Sequence, residues 1–67
     1  MKRDAFLRAL KAHADANNLA YDWNPKHGKG GHGRVTVGAY ATTVPTKINT
    51  GLQYAILRQL RLPKDVI

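Results

Sequence analysis

The chain has 67 residues, 43% of them apolar and 22% charged, and its eleven Lys plus Arg against four Asp plus Glu give a net charge of +7. A chain this short is expected to form one domain, spanning 1–67, and buries only roughly 60% of the surface its unfolded form exposes, which argues against a deep substrate chamber or a large cofactor housing. Cysteine is absent, which removes disulfides, Cys-ligated zinc and thiol nucleophiles, and the cationic excess points to a polyanionic partner.

From Arg3 to Asn17, Phe6, Leu10 and Ala14 fall on one helical stripe that Leu7 widens, while Arg8, Lys11 and Asp15 lie on other faces. This is the pattern of an amphipathic helix. Asn17 and Asn18 tolerate left-handed backbone and should end it. Leu19, Tyr21 and Trp23 then alternate with polar or small residues up to Pro25, the period of a half-buried strand. Residues 26–33 read KHGKGGHG, with four glycines and nothing apolar to bury, and are expected to form a surface loop. Arg34 to Val37 alternates again, Gly38-Ala39 supplies a turn, and Tyr40 to Val44 is β-branched and aromatic enough for a third strand closed by Pro45. Asn49 or Thr50 caps a second helix with Leu52, Ala55, Ile56 and Leu60 on its apolar stripe, Arg58 and Arg61 away from it, and Leu62-Pro63 at its end. The expected class is α+β in the order α-β-β-β-α, a three-stranded antiparallel sheet with two helices on one face and the other face wet. No apolar run reaches the roughly 20 residues of a membrane span, and MKRDAFLRAL carries charge where a signal peptide is apolar, so a cytoplasmic protein with no membrane partner is expected.

All four acids lie outside the interval from Trp23 to Lys64, which holds seven cations, so the loop and the second helix form a basic half. Gly28 to Gly33 matches G-x-G-x-x-G in letters only. A dinucleotide site needs a strand before it, a helix opening on it and an acid about 20 residues later. Here a strand follows and no acid appears until Asp65. No Gly-Lys-Ser/Thr closes a nucleotide-hydrolase loop either. What remains is a cationic loop whose bare backbone lets a phosphate approach its N–H groups, with His32 at its end. Imidazole takes up and returns a proton near neutral pH. Without carboxylates near His32 no metal centre is expected, and without a serine near the loop a Ser-His-Asp hydrolase is unsupported. A lone histidine among cations suits a substrate that carries its own nucleophile, as RNA does in the 2′-hydroxyl beside each phosphodiester. Lys26, Lys29 and Arg34 would position phosphate, with the backbone of Gly30 and Gly31 at the developing oxyanion. Tyr21 and Trp23 are expected in the core, whereas Tyr54 lies off the apolar stripe of its helix.

The series Gly28-Lys29-Gly30-Gly31-His32-Gly33, Thr42-Thr43-Val44-Pro45, Thr50-Gly51-Leu52 and Leu57-Arg58-Gln59-Leu60, in that order, resembles the HicA family of bacterial toxin–antitoxin toxins. The resemblance covers roughly residues 26–62. It implies a double-stranded-RNA-binding-domain-like fold, mRNA endoribonuclease activity without a cofactor, His32 as the catalytic residue, and a HicB-type antitoxin as protein partner. Gly31 stands where the family carries a serine. A non-catalytic RNA-binding module of the same element order is the alternative reading.

Overall fold

The computed structural model describes residues 2–25 and 32–67. Helix α1 (Arg3–Ala16) is followed by strands β1 (Tyr21–Asn24), β2 (Gly33–Val37) and β3 (Tyr40–Val44), helix α2 (Thr50–Gln59) and a short 3₁₀ turn, Lys64–Val66. The three strands form one antiparallel sheet in the order β1-β2-β3. Tyr21 pairs with Val37 and Trp23 with Val35 on one side of the central strand, Val35 with Thr42 and Gly33 with Val44 on the other. The register therefore places Tyr21, Trp23, Gly33, Val35, Val37, Thr42 and Val44 on one face. Asp22, Asn24, Arg34, Thr36, Ala41 and Thr43 share the other.

Both helices cover the first face. Phe6, Leu7, Leu10 and Ala14 of α1 join Ile56, Leu57 and Leu60 of the second helical segment and Val35, Val37 and Val44 of the sheet in one buried cluster. The stripe expected on α1 is the one that packs. On α2 the buried face is turned: Gln53 and Leu57 are buried with Ile56, while Ala55, expected on the stripe, is exposed. A methyl group gains little from burial, whereas Leu57 gains roughly 1.5–3 kcal/mol and pulls the neighbouring Gln53 inward with it. Thr42, buried beneath α2, donates its hydroxyl hydrogen bond to Gln59. Among the described residues no buried side-chain polar atom lacks a partner.

Each helix ends in the same way. The Leu19 N–H donates to Ala14 and that of Asn18 to Asp15, with Asn18 at φ 56°. Likewise the Leu62 N–H donates to Leu57 and that of Arg61 to Arg58, with Arg61 at φ 59°. These are paired 6→1 and 5→2 closures around a left-handed residue. At the start of α2 the Asn49 side chain accepts from the Leu52 N–H at 2.8 Å. Gly38 takes φ 62° in the two-residue link between β2 and β3, where a side chain would be strained. The segment after α2 folds back, with Leu62, Val66 and Ile67 half-buried against the cluster.

Candidate nucleic-acid interface

Helix direction decides which residues meet at the N-terminal end of β2, beside His32. Arg3, in the first turn of α1, donates to the Thr46 hydroxyl at 3.5 Å and holds its guanidinium 5.3 Å from the centre of the Trp23 ring. The far end of α1 leads to Leu19, beside Gly38 in the hairpin turn. Helix α2 begins just after Lys47 and ends near Tyr40, whose ring lies 5.4 Å from the Arg61 guanidinium. The two helices therefore run the same way, and both point their N-termini, each worth about half a positive charge, toward the end that carries His32.

His32 is exposed and immediately precedes β2. Alternation along the strand gives it the parity of Arg34 and Thr36, on the face the helices leave open. Arg34 is exposed there, between Asn24 and Thr43. One carboxylate shares this face. Asp22 pairs with Thr36, four positions from His32, or about 13 Å at roughly 3.3 Å per residue, too far to orient the imidazole. Lys26, Lys29, Gly30 and Gly31, expected to contact phosphate, lie outside the described residues.

The residue after His32 is fixed by packing. Gly33 is buried, and a Cβ there would stand 2.2 Å from Cη2 of Trp23 and within 2.8 Å of two further ring carbons. Trp23 thus lies against the start of the central strand, with Arg3 over its ring. Tyr21 and Trp23 are half-buried on the helix side, as core packing requires, and neither faces the open side of the sheet. Burial, and then the charge of Asp22, raises the Tyr21 phenol above its ordinary value. Tyr40 and Tyr54 are exposed. His13 is half-buried in the last turn of α1, its Nδ1 3.5 Å from the Asn17 amide. Among the described residues no three His, Asp or Glu side chains gather as a metal centre would require.

Sequence reasoning missed one element of this end. A cavity of about 490 Å³ is lined by Lys2, Arg3, Asp4, Thr46, Lys47 and Ile48. Its cations come from segments more than forty residues apart in the sequence, and the parallel course of the helices brings them together. A signal was nevertheless available, because Pro45 ends β3 and α1 must start at the end of the sheet opposite the β2–β3 turn if it is to lead back into β1.

No family model matches the chain, and no curated protein or solved structure matches it either. The reading of this end therefore stands on the chemistry of its side chains and on the motif resemblance in the sequence. Among the described residues no helix is long and apolar enough to cross a membrane.

Proposed function

We propose that the protein is a metal-independent endoribonuclease that cuts mRNA in the cytoplasm, the toxin of a type II toxin–antitoxin pair of the HicA kind, with His32 as its proton-transfer group. The observation that carries this reading is the position of His32: an exposed imidazole at the open-face parity of the central strand, two residues from Arg34, at the cationic end of the molecule. In the reaction His32 takes the proton of a ribose 2′-hydroxyl, whose oxygen forms a bond to the adjacent phosphorus. The bond from phosphorus to the 5′-oxygen breaks, and that oxygen is protonated by the imidazolium or by water. The products are a 2′,3′-cyclic phosphate and a 5′-hydroxyl end. Arg34, with Lys26 and Lys29 and the backbone of Gly30 and Gly31, stabilises the charge that builds on the phosphoryl oxygens.

The α-β-β-β-α order with both helices on one sheet face supports a double-stranded-RNA-binding-domain-like fold as the scaffold of this activity. The partner is an acidic, HicB-type antitoxin that covers His32, drawn in by the same positive field that attracts RNA.

The test is cleavage of a labelled transcript in the presence of chelator, with the new ends mapped. The parent chain yields cyclic-phosphate ends. His32→Gln loses about 10²–10⁴ in rate, the usual worth of a general base, and keeps its fold because the side chain is exposed. Cleavage by His32→Gln at the parent rate, or cutting of a strand lacking the 2′-hydroxyl, refutes the mechanism. A transcript that is bound and never cut turns the reading to the non-catalytic RNA-binding module.

A further inference from the structure

We infer that the cavity lined by Lys2, Arg3, Asp4, Thr46, Lys47 and Ile48 is a second subsite for the sugar–phosphate backbone of RNA, holding a nucleotide unit that flanks the cleaved one. This rests on the nuclease reading of His32 for its substrate and on the cavity for its place.

Three cations face one acid there, so the hollow is cationic even with Asp4 in its wall. Its volume, about 490 Å³, lies in the range of small-ligand sites, roughly 300–1,000 Å³, and far exceeds a bare ion. Ile48 gives a ribose an apolar surface, and Lys2 and Lys47 place exposed ammonium groups at the rim. Arg3 is the organised member. Thr46 and the Trp23 ring hold its guanidinium before any ligand arrives, so the rotamer entropy that phosphate binding ordinarily costs is already spent. Guanidinium forks match phosphate oxygens in pairs.

Continuity with the reacting end comes from contacts on the page. Arg3 lies over Trp23, Trp23 packs on Gly33, and Gly33 adjoins His32. On the other side Gly33 pairs with Val44, two residues before Thr46. A strand whose scissile phosphate meets His32 thus reaches the cavity by passing over the end of the sheet.

Trp23 is the sole tryptophan of the chain and lies beneath Arg3, whose side chain lines the cavity, so its fluorescence reports on the state of that guanidinium. The experiment titrates a short 2′-O-methyl oligouridylate, which cannot be cleaved, into the full chain and follows Trp23 emission at several salt concentrations. Lys47→Gln is expected to weaken binding about 3–10-fold and to lower the salt slope by about 0.7, the loss of one phosphate contact on a single strand. Arg58→Gln removes an equal charge from the last turn of α2, at the opposite end, and is expected to leave the slope unchanged. Equal binding by the parent and Lys47→Gln overturns the inference, as does an equal loss in Arg58→Gln. Anionic-lipid vesicles that change Trp23 emission when the oligonucleotide does not also overturn it. If the unmodified oligouridylate is never cut but Lys47→Gln alone weakens binding, the nuclease reading falls and the subsite stands as part of a binding surface.

Discussion

Gly33→Ala is the smallest change that tests how the start of β2 is held. The added methyl carbon would stand 2.2 Å from the Trp23 ring, against about 3.5–4.0 Å for an ordinary carbon contact, so something must retreat by roughly 1.3–1.8 Å. Gly33 itself is paired to Val44, which leaves the indole to move. Moving it disturbs its packing against the core and its place beneath Arg3. Overpacking of this kind costs about 1–3 kcal/mol, and loss of an exposed cation–π contact about 0.5–1 kcal/mol. The expected total is about 1.5–4 kcal/mol, or roughly 6–32 °C in Tm for a domain of this size. Thermal melts followed by circular dichroism measure it. The same substitution in a Trp23→Leu background meets no ring, and there Ala is expected to be neutral or better than Gly by up to about 1 kcal/mol, since it orders the strand at lower entropic cost. The two effects differ in sign, which makes the cycle decisive. If Gly33→Ala costs the same in both backgrounds, the indole is not what excludes a side chain, and the account of this end is wrong.

Three further outcomes are expected. Asn49→Ala removes the cap of α2 and should cost about 1 kcal/mol, read as a Tm lower by about 4–8 °C; an unchanged Tm would show that water satisfies the Leu52 N–H equally well. Arg61→Gly relieves a left-handed backbone, worth roughly 1–2 kcal/mol, and forfeits the Tyr40 contact, worth about 0.5–1 kcal/mol, so chemical denaturation should show a gain of up to about 1.5 kcal/mol. A loss in that variant would mean that the stacking outweighs the strain. Because the Tyr21 phenol is raised in the fold, its neutral form is the one the structure favours; that contribution is complete below pH 10.0, the ordinary phenol value, and disappears as pH climbs through the raised one. Tyr21→Phe should therefore flatten the decline of Tm at alkaline pH, and an identical decline would remove Tyr21 as its cause.

Much of the architecture was readable because local chemistry and global packing agreed. The Asn17-Asn18 pair stops α1 where left-handed backbone is required, and the alternation around Trp23 and Val35 faces the side that the helices cover. The face of α2 was misjudged for a physical reason. Hydropathy ranks Gln53 as a surface residue, yet a paired amide is tolerated inside, and neighbouring Leu57 outweighs Ala55 in the area it buries. At the candidate site, the exposure of Arg34 followed from the alternation of its strand and that of His32 from its place in a glycine-rich run, whereas the surface loop expected there falls mostly outside the described residues. The need for glycine at position 33 did not, because it arises from a ring ten residues away across the sheet. The cation-lined cavity was signalled only through topology, since its walls come from segments more than forty residues apart, joined by the Arg3 to Thr46 hydrogen bond.

That α1 and α2 run in the same direction also makes the molecule electrically lopsided along the helix axes. Their peptide dipoles add instead of cancelling, as they would in an antiparallel pair. In the field of an approaching nucleic acid such a body experiences a torque before it touches anything, and productive collisions are enriched at the expense of broadside ones. Association would then slow steeply as ionic strength shortens the distance over which that torque acts.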